Sequence, residues 1–129
     1  MKNILYIILV AFSLISCQAQ QKKQRIELVP PAEFAQMIRD EEGQIIDVRT
    51  PKEFSFGYID GAINYHVYDK DFEQRIGKLD KDKPVYVYCK VGGRSAEAVE
   101  TLKAKGFNSI IELEGGMDAW LEAGKPVKK

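Results

Sequence analysis

Short runs of strand-forming residues alternate with segments of helical periodicity along most of this chain. The candidate strands are residues 26–29, 44–48, 62–64, 85–88 and 109–113. Helical spacing of apolar residues, together with start signals such as an early proline, indicates helices at 31–39, 51–56, 71–79, 94–105 and 117–122. Strands that are separated by helices usually pair in parallel, with helices covering both faces of the sheet. The sequence therefore predicts an α/β fold with a central, mostly parallel five-stranded sheet.

The first seventeen residues have the pattern of an export signal. Lys2 precedes an apolar stretch, residues 4–15, that is too short to cross a bilayer comfortably. The stretch ends in LISC, which resembles the lipobox of bacterial lipoproteins, where the cysteine is acylated and becomes the mature N-terminus. Cys17 is then a lipid anchor that holds the protein in the periplasm or at the outer membrane. A plain signal peptide cut near Ala19 is the alternative, and it also predicts export.

Residues 18–25, QAQQKKQR, are polar and without periodicity, so they are predicted to form a tether. The remainder, residues 26–129, has the length of one small domain. Without Lys2, eighteen Lys and Arg face nineteen Asp and Glu, and this formal charge of −1 gives no indication of nucleic-acid binding. We expect a monomer without a metal or organic cofactor, which meets the membrane only through its N-terminal anchor.

Cys89 has no intramolecular partner once Cys17 is lipidated or removed. An exported protein lives where disulfides are permitted, so a lone thiol there is either buried or used. Cys89 follows the apolar strand 85–88, and the carboxyl ends of strands are where open α/β sheets place their functional residues. An inert core residue is the most common role for such a cysteine, so the residues that follow it decide the interpretation.

The loop after Cys89 combines several features that favour an anion. The N-terminus of the following helix presents unsatisfied N–H groups and a partial positive charge. Gly92 and Gly93 permit backbone angles at which successive amides turn inward, and Lys90 and Arg94 add cationic groups. Each of these elements favours the thiolate over the thiol. We therefore expect Cys89 to be a nucleophile at neutral pH.

Four ordered motifs resemble those of the rhodanese-like family of sulfurtransferases, over residues 29–124. They are DVRTPKEF at 47–54, GYIDGAIN at 57–64, YCKVGGRS at 88–95 and EGGMDAW at 114–120. One departure is Tyr58, where the family usually has His. That position ordinarily supports the loop from outside the chemistry, so we expect sulfur transfer to be retained. The sole histidine, His66, has no evident role as a base and is interpreted as a surface or packing residue.

The resemblance implies ping-pong transfer of a sulfane sulfur. Cys89 would take the outer sulfur of an anionic donor such as thiosulfate, hold it as a persulfide, and pass it to cyanide or a thiol. The backbone amides of the loop would cradle the extra sulfur atom, and they belong to Lys90, Val91, Gly92, Gly93, Arg94 and Ser95. Arg49 would help to receive the donor if it points toward the loop. A structural ion pair with Asp47 or Glu53 is the other role open to Arg49.

Two further functions compete with sulfur transfer by an enzyme. Dual-specificity phosphatases and arsenate reductases share the fold, but their loops carry five residues between Cys and Arg, whereas four separate Cys89 from Arg94. The shorter loop offers a smaller cradle, which disfavours phosphate. A non-catalytic persulfide carrier or recognition module, tethered to the membrane, would retain Cys89 as well, and the residue pattern alone does not separate it from an enzyme.

Overall fold

The computed structural model describes residues 23–129, which form alternating strands and helices. The strands are β1 (Arg25–Val29), β2 (Gln44–Asp47), β3 (Ile63–Asn64), β4 (Val85–Tyr88) and β5 (Ser109–Leu113). The helices are α1 (Pro31–Asp40), α2 (Pro51–Ser55), α3 (Phe72–Ile76), α4 (Gly93–Ala104) and α5 (Gly116–Glu122). Each predicted element is present, and most of the ends differ by no more than one residue. The largest difference is α3, which ends three residues before its predicted limit.

All pairs of neighbouring strands are parallel, and the order across the sheet is β1-β5-β4-β2-β3. β4 lies at the centre, and two apolar clusters cover the two faces of the sheet. One cluster joins the sheet to α3 and α4 through residues such as Val87, Ile76 and Leu102. The other joins it to α1 and α5 through residues such as Phe34 and Trp120. The predicted α/β fold, with a five-stranded sheet flanked by helices on both faces, is confirmed.

The predicted signal segment with Cys17, and the predicted tether up to residue 22, lie outside the described residues. The end of that tether belongs to the domain. The Gln24 side chain donates to the carbonyls of Lys103 and Phe107 at 2.9 and 3.1 Å, and the Arg25 amide donates to Asn108 O. β1 thus begins one residue earlier than predicted, because these hydrogen bonds fix the chain before Ile26. Within residues 23–129, none of the helices has the length and apolar character needed to cross a bilayer.

Candidate active site

Cys89 directly follows the central strand β4, at the carboxyl end of the sheet. All four residues of β4 are fully buried, so the strand brings the cysteine to the edge of the apolar core beneath α4. Cys89 has no disulfide partner among residues 23–129, and it is only 1% exposed. The sulfur therefore lies at the floor of the loop and not on the surface of the domain.

Gly92 gives the loop its sharp turn over the sulfur. Its φ of +127° is a conformation that L side chains rarely adopt, and its N–H donates to Cys89 Sγ at 3.0 Å. Gly93 is the first residue of α4 and is not among the glycines with positive φ. Of the two glycines that were expected to bend the loop, it is Gly92 that takes the unusual backbone angle.

The N-terminus of α4 lies beside the sulfur. The bond from the Ala96 amide to Gly92 O, at 3.1 Å, begins the i→i−4 series of the helix. The amides of Gly93, Arg94 and Ser95 precede it, so they have no partner within α4. These groups are the donors that a helix N-terminus offers to an anion. Within residues 23–129, the loop amide that donates a hydrogen bond to Sγ is that of Gly92.

Ser95 connects the cysteine to a carboxylate that the sequence analysis missed. Cys89 Sγ donates to Ser95 Oγ at 3.4 Å, and Ser95 Oγ lies 2.6 Å from Glu112 Oε2. Glu112 is half-buried on β5, and burial is the main cause that raises its pKa, against the lowering effect of the Ser95 hydrogen bond. A charged residue within the apolar run SIIEL was the available signal, because acidic side chains are rarely placed in buried strands without a partner.

The Arg94 side chain pairs with Glu53 on α2. Its two terminal nitrogens lie 2.7 and 2.9 Å from the two carboxylate oxygens, a bidentate geometry. The pKa of Glu53 is lowered to about 2, and the hydrogen bonds from Arg94 are the largest cause. Thr50 also contributes, because it forms a capping box with Glu53 at the start of α2. The ion pair links Arg94, at the end of the loop, to helix α2.

Helix α5 supports the loop from the other side. The amides of Met117 and Asp118 donate to the carbonyls of Cys89 and Lys90 at 2.8 and 3.0 Å. The Lys90 ammonium forms an exposed ion pair with Asp118 at 2.8 Å. The cation that was expected beside the sulfur is thus shared with an acid of α5. Val91, between these anchored positions, is 62% exposed.

Arg49 takes the structural role that the sequence offered as its alternative. Its guanidinium lies 2.6 Å from the carboxylate of fully buried Asp47, and it also donates to Gly57 O at 2.7 Å. The guanidinium carbon lies 5.7 Å from the centre of the Tyr88 ring. These contacts bury Arg49 against Asp47, Gly57 and the Tyr88 ring.

Tyr58 and His66 both pack against other side chains. The Tyr58 ring stacks on Phe54 with centroids 4.2 Å apart, and its backbone pairs with Lys128 in both directions at 2.9 Å. His66 Nδ1 lies 3.3 Å from Asp69 Oδ1. In the part of the chain that the structure describes, no three His, Cys, Asp or Glu side chains are grouped as a metal site would require.

The structure is therefore a parallel α/β domain in which a cysteine directly follows the central strand and lies beside a glycine turn and a helix N-terminus. The chain belongs to the rhodanese-like family: the family's sequence profile, the Rhodanese-like domain, matches residues 30–123. The family resemblance noted in the sequence is thereby confirmed.

Two bacterial relatives illustrate the family. The chain is 37% identical over 118 residues to the uncharacterized protein YqhL of Bacillus subtilis, and the match covers 91% of this chain and 90% of that one. It is 36% identical over 91 residues to the thiosulfate sulfurtransferase GlpE of Shewanella oneidensis, which covers 70% of this chain and 88% of the relative. Sulfurtransferases are therefore among the chain's relatives.

Solved structures of other proteins share the fold of this chain. A rhodanese-related protein from Thermoplasma volcanium superposes with a TM-score of 0.70 at 35% sequence identity, covering 79% of this chain and 97% of that one. A rhodanese-like domain protein from Staphylococcus aureus gives a TM-score of 0.67 at 31% identity, covering 80% and 99%. The likeness spans nearly all of each of these proteins.

Proposed function

We propose that this protein is a sulfurtransferase that carries a sulfane sulfur as a persulfide on Cys89. The observation that carries the proposal is the position of Sγ, which lies at the end of the central strand and accepts the Gly92 N–H at 3.0 Å. The amides at the start of α4, which have no partner within that helix, lie beside it. A persulfide anion on Cys89 is one sulfur atom longer than the thiolate. Its outer sulfur would meet backbone N–H donors of the kind that the start of α4 presents.

The proposed reaction has two displacements. In the first, the Cys89 thiolate attacks the outer sulfur of a donor such as thiosulfate. The sulfur–sulfur bond of the donor breaks, and its electron pair leaves on sulfite. In the second, cyanide or a thiolate attacks the outer sulfur of the persulfide, and the electron pair returns to Cys89. Neither displacement needs a metal or a redox cofactor.

The surroundings of the loop favour a small donor. Cys89 is nearly inaccessible at rest, so a donor must enter past the loop. The outer side of the loop is open, because a Cβ added at Gly92 or Gly93 would meet no atom within 4 Å. A donor that presents a terminal sulfur fits this narrow approach better than a bulky substrate.

The position of Arg94 disfavours the phosphatase and arsenate reductase alternatives. Those enzymes resemble this chain in having a loop from Cys to Arg that wraps a tetrahedral oxyanion. Here both terminal nitrogens of Arg94 are bound to Glu53, so the guanidinium is already neutralised by a carboxylate. Hydrolysis of a phosphomonoester by the purified protein, lost in Cys89→Ser, would favour these alternatives over sulfur transfer.

Intact mass after incubation with thiosulfate tests the proposal directly. We expect a gain of one sulfur atom that cyanide removes and that Cys89→Ser does not acquire. Absence of the added sulfur in the native protein would contradict persulfide formation. Steady-state cyanolysis then separates an enzyme, which turns over repeatedly, from a carrier, which loads once and stalls.

We also propose that the protein is exported and anchored through a lipid on Cys17, on the evidence of the residues that precede it. Labelling with a radioactive fatty acid, followed by membrane fractionation, tests this. The native chain should incorporate the label and sediment with membranes, whereas Cys17→Ser should do neither. An unlabelled native chain would instead support a plain cleaved signal.

A further inference from the structure

Glu112 is an acid on the face of β5 that packs under α4. Side chains alternate along a strand, and Ile110, two residues earlier, belongs to the apolar cluster that contains Cys89. Ile111 and Leu113, on either side of Glu112, are fully buried on the opposite face. The Glu112 carboxyl is therefore held against the core, and its Oε2 lies 2.6 Å from the hydroxyl of fully buried Ser95.

The Ser95 hydroxyl stands between two groups that can each hold a proton. It accepts from Cys89 Sγ at 3.4 Å and donates to Glu112 Oε2 at 2.6 Å, while Gly92 O lies 3.1 Å away. A serine hydroxyl has a single proton. If Cys89 becomes a thiolate and Ser95 turns its proton toward it, the hydrogen bond to Glu112 persists only when the carboxyl is protonated and donates.

We propose that Glu112 is a positioning residue that takes up, through Ser95 Oγ, the proton that Cys89 loses when its thiolate forms. The S–H bond of Cys89 breaks, and its electron pair stays on sulfur. The proton passes to Ser95 Oγ, while the proton of Ser95 passes to Glu112 Oε2. The carboxylic acid then donates to Ser95, and Ser95 donates to the thiolate. The proposal rests on the proposed function because the thiolate is the sulfur acceptor.

The elements around Glu112 leave Cys89 as the titrating group linked to it. The strand neighbours opposite Glu112 are Val87 on β4 and Leu28 on β1, and neither is charged. The charged side chains of β1, α4 and the adjoining turn that must be considered are Arg25, Glu27, Lys90, Arg94, Glu97, Glu100 and Lys103. Arg25 and Glu27 alternate with Leu28 to the other face of the sheet. Lys90 and Arg94 are paired with acids, Glu97 is exposed, and Glu100 pairs with Lys103 on the exposed side of α4.

Burial supports this role for the carboxyl, because desolvation raises the pKa of Glu112 above its ordinary value. A thiolate and a carboxylate close together in the core would repel each other, so one proton shared by the pair removes the repulsion. Two coupled groups of this kind lose their protons in two macroscopic steps that belong to the pair. The pH dependence of thiolate formation should therefore show both steps.

The rate at which iodoacetamide alkylates Cys89 as a function of pH tests the proposal. The full chain is used, and modification at Cys89 is followed by peptide mass, so that Cys17 does not contribute. We expect two inflections for the native protein and loss of one of them in Glu112→Gln. The matched control Glu100→Gln removes the same charge from the exposed face of α4 and should retain both inflections. Identical profiles for the native protein and Glu112→Gln would overturn the proposal.

A second measurement covers the case in which Glu112→Gln fails to fold. NMR titration of the Glu112 carboxyl carbon should show two steps in the native protein and one in Cys89→Ser, where the partner no longer titrates. A single unchanged step in both proteins would again overturn the proposal. Neither the alkylation profile nor the NMR titration requires sulfur transfer. The mass gain with thiosulfate tests the proposed function separately, so failure of one proposal can be distinguished from failure of the other.

Discussion

Arg94 at the start of α4 and Glu53 on α2 form a bidentate ion pair, with nitrogen–oxygen distances of 2.7 and 2.9 Å. The pair joins the cysteine loop to the segment that also contains Asp47 and Arg49. Both partners are mostly buried, with side chains 22 and 29% exposed. The geometry of the loop is therefore coupled to the ionisation of Glu53.

Glu53→Gln should destabilise the protein at neutral pH, and the effect should shrink in acid. The pKa of Glu53 is lowered from 4.5 to about 2, so its carboxylate stabilises the fold above pH 4.5 and loses that effect as the pH falls toward 2. After allowance for partial exposure, we expect on the order of 2 kcal/mol at pH 7, and about half of it by pH 3.

Urea unfolding of both proteins across this pH range measures the difference. Glu100→Gln, which removes an exposed carboxylate, serves as the control and should change little at any pH. A deficit of Glu53→Gln that stays constant from pH 7 to pH 3 would show that ionisation of Glu53 is not the cause.

Gly116→Ala should displace the cysteine loop. A Cβ at this position would lie 2.6 Å from Cys89 O and from the Lys90 carbonyl, and backbone atoms cannot easily move aside. Gly124 has a similar positive φ of +72°, against +58° for Gly116, but open space around it. Gly124→Ala should therefore lower the free energy of unfolding only by the cost of a side chain at positive φ, about 1–2 kcal/mol. Gly116→Ala should lower it further and should also slow sulfur loading.

Thermal unfolding and the rate of mass gain with thiosulfate report the two effects. Equal stabilities and equal loading rates for the two alanine variants would show that the close approach of Gly116 to the loop is unimportant.

Arg49→Lys should weaken the fold and leave donor binding unchanged. The guanidinium makes several bonds to buried Asp47 and one to Gly57 O, and an ammonium cannot reproduce that fork. We expect a loss of about 1–3 kcal/mol in the free energy of unfolding. In cyanolysis, the KM for thiosulfate should stay within about twofold of the native value. A large rise in KM without loss of stability would instead assign Arg49 to the donor.

Tyr58→His tests the position at which this chain departs from its family. Tyr58 stacks on Phe54 with an interplanar angle of 9°, and the smaller imidazole ring would lose part of this contact, a decrease of about 0.5–1.5 kcal/mol. We expect that decrease in stability by urea unfolding, with unchanged sulfur loading. Tyr58→Phe retains the stack and is the control. A loading defect in Tyr58→His at full stability would place the side chain in the chemistry.

The order of the elements could be predicted because each strand and helix carries its own local signal. Pro31 and Pro51 mark the first turns of α1 and α2, and the apolar run of β4 could only be a buried strand. The position of Cys89 followed from the same pattern, since a parallel sheet delivers the ends of its strands to one edge.

The side-chain partners in the site could not be predicted in the same way. Lys90 follows Cys89 directly and Arg94 lies five positions after it, yet they pair with Asp118 and Glu53, which are 28 and 41 positions from them. Such pairs depend on where α2 and α5 pack. Glu112 was missed for the same reason, because its link to Cys89 passes through Ser95 on a different element.

The turn at Gly92 has a consequence for the chirality of the chain. L residues other than glycine rarely adopt a φ of +127°, but a methyl group added at Gly92 would meet no atom within 4 Å. The obstacle to substitution at this position is thus handedness alone and not volume. Chemical synthesis with D-alanine at residue 92 would place a mirror-image centre where the backbone already has a positive φ, and would restrict the backbone of the turn above the sulfur.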